Sequence, residues 1–268
     1  MVSFVATPIG NLKDITLRAL ETLKEADVIF CEDTRHTLKL LNAYEIKKPL
    51  YSCHKFNEAA AAEKIIEAAQ AGKSVAIVSD AGTPVVSDPG NVVCKALRAA
   101  GVEYTLIPGA CAFVAALVLS ALDADQFAFI GFLPDKASEK RAFLEKYKRL
   151  DLTLAFHSAP QDVDKDVSAM YEVFGERKAV AVREITKIHE EAVPFLLSGG
   201  LTGEKRGEYV LIVEGAKEQE NPLNALSERE HILHYMSSGL DKKEALKRAA
   251  KDRGVSKSEL YKFTIDLE

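Results

Sequence analysis

The sequence predicts an α/β protein of two α/β domains with a small helical module after them, and three observations lead there. Apolar strand-like runs alternate with amphipathic segments through residues 2–120 at the intervals of βαβ units. Strand-like runs return between residues 127 and 213, and the last of them leave little room for helices, which predicts partly antiparallel pairing. Residues 226–268 then carry three helix-start signals and a concentration of positive charge.

In the first domain, residues 3–6, 28–31, 50–53, 74–78 and 104–107 read as strands. Runs such as Val75-Ala76-Ile77-Val78 are apolar throughout, the pattern of a parallel strand covered on both faces. Amphipathic helices are expected at 17–25, 37–43, 58–71, 92–100 and 112–122. The second domain supplies strands at 127–132, 153–156, 179–183, 192–197 and 209–213, with helices at 139–150 and 163–174. The join falls at 123–126, giving domains 1–122 and 123–217. Polar residues 219–224, with Pro222, suit a linker into a module at 226–268. There Ser227, Asp241 and Ser256 each stand three residues before a glutamate, and Gly239 and Gly254 supply stops. Three short helices joined by tight turns resemble a helix-turn-helix.

A chain of 268 residues with 47% apolar content can bury cores for two domains of ordinary size. It holds no apolar run of 18 residues and opens without a basic leader, so no membrane span or signal peptide is expected and the expected compartment is the cytoplasm. Cys31, Cys53, Cys94 and Cys111 form no C-x-x-C pair and the six histidines no H-E-x-x-H, so no metal is expected. His231 and His234 are expected as neighbours on a helix surface. The net charge of −5 argues against a generic polyanion binder, but its distribution is uneven. Residues 238–262 hold eight Lys or Arg against four acids, a local +4 that leaves −9 for the rest. Lys243, Lys247 and Lys251 fall at i, i+4 and i+8, a stripe whose mutual repulsion a phosphate-rich partner relieves.

The chemistry is expected at strand exits, because ligands of open α/β sheets gather at the carboxyl ends of strands. SVAIVSDAGTPVVSDPG, residues 74–90, runs from a buried strand into a turn-dense segment with side-chain oxygens at Asp80, Ser87 and Asp88. Gly82 and Pro84 shape that turn, and Asp88 is expected to cap the next helix with Pro89 in its first turn. ATPIGNL after the first strand and Pro108-Gly109-Ala110 after the fifth are similar exits. Neither G-x-G-x-x-G nor G-x-x-x-x-G-K-[ST] occurs, so the expected ligand is small and not anchored by a pyrophosphate. Charged segments, CEDTRH at 31–36 and REITK at 183–187, close two further strands, with Asp33 or Thr34 available as a helix cap.

Taken together, ATPIGNLKDITLRALETLKEAD, CEDTRHTLKLL, SDAGTPVVSDPG, GFLP, REITK and GEYVLIVEG resemble the tetrapyrrole methylase superfamily over essentially the whole chain. More narrowly they resemble its branch that methylates the ribose 2′-oxygen of a cytidine in the decoding centre of 16S ribosomal RNA. KKEALKRAAKDRGVSKSELY resembles that branch's helix-turn-helix appendage. The resemblance implies two α/β domains with S-adenosylmethionine in the cleft between them, a homodimer, and small-subunit RNA as partner. By position it implies cofactor contacts from Thr7, Pro8, Asp80, Ala81, Gly82, Pro84, Pro108, Gly109, Ala110, Phe132 and Leu133. Proton removal from a weakly acidic hydroxyl needs a nearby acceptor, for which Glu32, Asp33, Glu184 and Lys187 are the candidates. Arg35, His36, Arg183, Lys243, Lys247 and Lys251 are the expected RNA contacts. Three segments depart from the family pattern: PGACA at 108–112, FHSAPQD at 156–162 and the short FLLSGG at 195–200. Two other functions stay open at this level: methylation of a small tetrapyrrole-like substrate, and RNA binding without catalysis.

Overall fold

The computed structural model describes residues 1–203, 205–217 and 222–264, in two compact units, Met1–Ala216 and Lys217–Glu268. The first unit begins with β1 (Val2–Val5), α1 (Leu17–Glu25), β2 (Val28–Cys31), α2 (Thr34–Ala43), β3 (Leu50–Ser52), α3 (Glu58–Gln70), β4 (Val75–Val78), α4 (Asn91–Ala99) and β5 (Tyr104–Ile107). The five strands pair in parallel in the order β3-β2-β4-β1-β5. Alternate side chains serve opposite faces. Phe4, Phe30 and Ile77 pack with Ile65 of α3 and Leu97 of α4, while Val5, Ile29 and Val78 pack with Leu23 of α1 and Leu41 of α2. That double cover is why these strands are apolar throughout.

The chain continues through α5 (Ala112–Ser120), β6 (Phe127–Phe132), α6 (Ala137–Glu145), β7 (Thr153–Ser158), α7 (Val163–Phe174), β8 (Lys178–Arg183), β9 (Glu191–Leu196) and β10 (Tyr209–Val213). The second sheet runs β6-β7-β10-β8-β9, with β6 parallel to β7 and the other neighbours antiparallel. One face buries Leu154, Phe156 and Leu211 against Leu144 of α6 and Met170 of α7. The other is covered by α5, whose Ala116 and Leu117 pack on Val180, Val182 and Ile212. By packing, α5 thus goes with the second sheet, although the boundary drawn from the sequence leaves it in the first domain. Its run AFVAALVLS is apolar all round, so periodicity gave no sign of which sheet it covers.

Beneath the second sheet lies a buried polar network. Lys140 of α6 is ion-paired with Asp166 of α7, and Ser158 Oγ at the end of β7 donates to the other Asp166 oxygen at 2.6 Å. A buried carboxylate with both partners in place is tolerated, whereas removing it strands an ammonium. Asp166→Ala is expected to cost about 3–5 kcal/mol. Urea midpoints test this, because Lys140→Met added to Asp166→Leu should recover most of the loss.

Helix α4 corrects one expectation. Asp88 does not cap it: the N-cap is Gly90, at φ +132°, and the cap comes from another helix. The Glu58 carboxylate at the start of α3 accepts the N–H groups of Gly90, Val92 and Val93 at 2.8, 2.7 and 3.3 Å. The turn through Ser87 instead directs Asp88 toward the space between the two sheets.

The second unit holds α8 (Glu228–Ser237), α9 (Lys242–Asp252) and α10 (Lys257–Tyr261) around Ile232, Ala245, Leu246, Ala249 and Leu260. Ser227 and Ser256 form full capping boxes and Asp241 accepts the Glu244 N–H, as the spacing predicts. Of the expected linker, residues 219–221 lie outside the described residues and 222–225 form a 3-10 turn. His231 is a further correction, since it is fully buried instead of on the helix surface. It accepts from Arg253 Nε at 3.1 Å and lies 3.3 Å from the Asp252 carboxylate, and burial and the adjacent guanidinium push its pKa down.

Candidate active site

Four strand exits of the first sheet are tied into one wall. The Thr7 N–H donates to the Gly82 carbonyl at 2.8 Å and the Gly82 N–H returns to Thr7 at 3.1 Å, joining the exits of β1 and β4. The Thr7 hydroxyl donates to Ser79 O at 3.3 Å and Thr83 Oγ1 to Ala110 O at 3.2 Å, which adds the exit of β5. Asp80 accepts the Asp33 N–H at 3.0 Å, which adds the exit of β2. Backbone strain gathers here: Val85 and Ser87 hold φ of +78° and +66°, as do Glu184 and Thr186 at +49° and +67° on the opposite side. Non-glycine residues in that region persist only where their surroundings hold them, and such positions cluster at ligand sites.

Between this wall and the exits of the second sheet lies a cleft of about 520 Å³, within the range of small-molecule sites. Its near side carries Ile9, Glu32, the run Asp80–Thr83 and Val86, Ser87 and Asp88. Facing them are Phe132 of β6, residues 157–161 after and within β7, Glu184, Ile185 and Lys187 after β8, and Glu208–Val210 at β10. The near side is acidic, and its protons are held unusually. Burial, then the carboxylates of Glu32, Asp80 and Glu208, push the Asp88 carboxyl up to about 7. Burial and Asp80 also raise Glu32, against a smaller opposing pull from His54. Such an array attracts a small cation and can accept a proton near neutrality.

On the facing side, Lys187 Nζ donates to Glu184 at 2.9 Å, which with the Glu208 N–H holds the Glu184 carboxyl below its usual range. Two glycines enclose this pair. A Cβ on Gly10 would lie 2.6 Å from Lys187 Cγ, and one on Gly207 would collide with the Glu184 carboxylate. Burial lowers the His157 pKa, keeping a neutral ring in the wall.

The structure brings Glu32, Asp80, Ala81, Gly82, Phe132, Glu184 and Lys187 to the cleft among the residues expected from sequence. Thr7, Pro8, Pro84, Pro108, Gly109, Ala110 and Leu133 are not in its lining. Thr7 is buried as a brace between loops, and Leu133 packs into the core of the second sheet. Asp33 is the N-cap of α2, its Oδ1 accepting the Arg35 N–H at 2.7 Å. Arg35 and His36 stand exposed on the first turn of α2, outside the lining. Arg183 is bound to Glu191, its Nε at 2.8 Å. Among the lining residues to which the sequence assigned no contact or proton-transfer role are Asp88, His157, Gln161 and Glu208. For Asp88 the signal was present, since SDPG after a strand invites the same attention as SDAG.

The two-sheet architecture with its cleft at strand exits is that of a methylase. The chain belongs to the tetrapyrrole (corrin/porphyrin) methylases, which it matches over residues 1–199. Its curated relatives include ribosomal RNA small subunit methyltransferase I of Bacillus subtilis (strain 168), 43% identical over 266 residues that cover 96% of this chain and 91% of that protein. The protein of the same name from Halalkalibacterium halodurans is 41% identical, covering 96% and 92%. Among solved structures, uroporphyrin-III C-methyl transferase from Thermus thermophilus complexed with S-adenyl homocysteine superposes with a TM-score of 0.56 at 20% identity, covering 80% of this chain and 96% of that one.

Proposed function

We propose that this protein transfers the methyl group of S-adenosylmethionine to the ribose 2′-oxygen of a cytidine in 16S ribosomal RNA. Kinship at 41–43% identity with two proteins named ribosomal RNA small subunit methyltransferase I supports the substrate class, and the acidic cleft supports the cofactor. That acidic cleft is the observation that carries the proposal. Five carboxylates, Glu32, Asp80, Asp88, Glu184 and Glu208, share the cleft with Lys187, a charge balance that suits a sulfonium cation. When bound, the cofactor supplies an electrophilic methyl group whose sulfur takes the electron pair of the breaking S–CH3 bond as the new O–CH3 bond forms.

The chain's own residues align, exclude water and manage one proton. Asp88 and Glu32 are the acceptors for the hydroxyl proton, because their raised pKa values make them stronger bases than ordinary carboxylates. Glu184, held low by Lys187, is a poor base and serves to fix the lysine. Lys187 brings positive charge to the oxygen as it loses its proton, or to the adjoining phosphate. Arg35 and His36 on α2 and the Lys243–Lys247–Lys251 stripe on α9 engage the RNA backbone; all five are exposed.

A second copy of this chain is the proposed partner for α5. Val114, Val118 and Leu119 stand exposed on it, Val118 at 77%, on a helix whose other face is buried. Val118→Asp should convert a dimer to monomer in sedimentation. Action on ribosomal RNA fits a protein of the cytoplasm.

The test is a single turnover with methyl-labelled cofactor, offering small-subunit particles that lack the modification and, separately, a reduced tetrapyrrole. Label should enter the RNA and not the tetrapyrrole. Label in the tetrapyrrole alone would reverse the assignment, and failure to bind the cofactor in calorimetry would favour a non-catalytic relative.

A further inference from the structure

We propose that Phe132 is the stacking platform for the base of the acceptor nucleotide, which is drawn out of its RNA stack onto this ring. This rests on the RNA-methylating activity proposed above and adds the residue that recognises the base.

A distortion in β6 aims the ring. β6 pairs with β7 as Phe129↔Ala155, then resumes as Gly131↔Phe156 and Phe132↔His157, so Ile130 is an extra residue. Residues three apart in an unbroken strand face opposite sides of a sheet. The inserted residue, with Gly131 at φ +79°, returns Phe132 to the face that Phe129 shares, and such bulges re-aim side chains near active sites. A Cβ on Gly131 would lie 3.4 Å from Ser87 Oγ, so the bulge sits close against the loop that carries Asp88. The ring therefore stands beside the acidic wall.

The aromatic neighbours form a ladder closed at one end and open at the other. Phe113 stacks on Phe129 at 4.3 Å, Phe129 meets His157 edge-on at 5.1 Å, and His157 stacks on Phe132 at 5.2 Å and 28°. Phe113, His157 and Phe132 all line the cleft, yet Phe132 is 58% exposed. An aromatic ring backed by a neutral imidazole, with its outer side open, presents the flat apolar surface that an unstacked base needs. Enzymes that act on one nucleotide pay an unstacking cost to bring it into a pocket, and an aromatic platform offsets it.

Phe132→Ala and Phe132→Tyr test the assignment in steady-state methylation of small-subunit particles, with cofactor affinity measured by calorimetry. Phe132→Ala should raise KM for the particles about tenfold to hundredfold while the cofactor Kd stays within about twofold, and Phe132→Tyr should restore the KM. A fluorescent cytidine analogue at the acceptor position should be quenched on binding wild type and not on binding saturating Phe132→Ala. Loss of cofactor affinity with an unchanged KM for particles would assign the ring to the adenine and overturn the proposal, as would unchanged values of both. If wild type methylates no RNA, the activity itself fails. If wild type methylates RNA and Phe132→Ala does so equally well, only the platform fails.

Discussion

Asp88→Asn lowers the rate of methyl transfer by about 10²–10³-fold near neutral pH, the loss expected when a positioned proton acceptor is removed. Only the ionised carboxylate accepts a proton, and burial with three neighbouring acids pushes this one up to about 7. Wild-type kcat/KM for the cofactor, which reports the cofactor-free enzyme, should therefore rise with pH through about 7 and level off above it, and the variant should lack that limb. Bound sulfonium charge opposes the causes of the upward shift. Cofactor binding near neutrality should then release a proton, more for S-adenosylmethionine than for S-adenosylhomocysteine, whose sulfur is uncharged. Calorimetry in buffers of different ionisation heat reads that difference, which Asp88→Asn should abolish. Stability follows the same group with a definite sign. Its folded pKa lies above the unfolded value, so the native state holds the extra proton between about 4 and 7. Stability is lost as pH rises through that window, and the Asp88→Asn substitution removes the loss. Asp88 is partly exposed, so solvent screening limits the gain to about 1–2 kcal/mol above neutrality. A variant rate within about threefold of wild type would remove Asp88 from proton transfer.

Charge reversal of the α9 stripe produces the other large effect. Lys243→Glu with Lys247→Glu and Lys251→Glu should weaken binding to small-subunit RNA by about 10²–10³-fold at low salt and flatten the slope of log K against log salt by about 2–3. All three lysines are exposed, and the Lys247–Glu244 contact at 3.2 Å lies on the same solvent-facing helix surface and contributes little. The apolar side of α9, Ala245, Leu246, Ala249 and Ala250, is untouched, so the module should keep its fold by circular dichroism. Cofactor affinity should not change, because the described residues that line the cleft run from Ile9 to Val210. An unchanged salt slope would show that this face makes no phosphate contacts.

Most of the fold was legible because each sheet wrote its cover into its strands. Continuous apolar runs marked the doubly covered strands, capping oxygens marked α2 and α8–α10, and crowding of the last strands foretold antiparallel pairing. Helix α5 was legible as a helix but not as part of the second sheet's core, since a helix apolar all round has no face to read. At the site, the loops that reach the cleft were visible as turn-dense strand exits. Which of their side chains face it was not. Thr7 and Asp33 are polar residues at the right exits, but one zips two loops together and the other caps α2. Asp88 went the other way, because capping of α4 comes from Glu58, 30 residues earlier in the chain and on another helix. The bulge that re-aims Phe132 depends on pairing with β7, which a single strand's sequence does not record.

The most direct measurement is the chemical position of the transferred methyl group. Small-subunit particles lacking the modification are incubated with wild-type protein and labelled S-adenosylmethionine, and the RNA is hydrolysed in alkali, which cannot cleave beside a methylated 2′-oxygen. A cleft built around Asp88, Lys187 and the exposed face of Phe132 predicts label in one alkali-stable dinucleotide whose 5′ nucleoside is 2′-O-methylcytidine. Label released in ordinary mononucleotides, and so carried on a base, would contradict it.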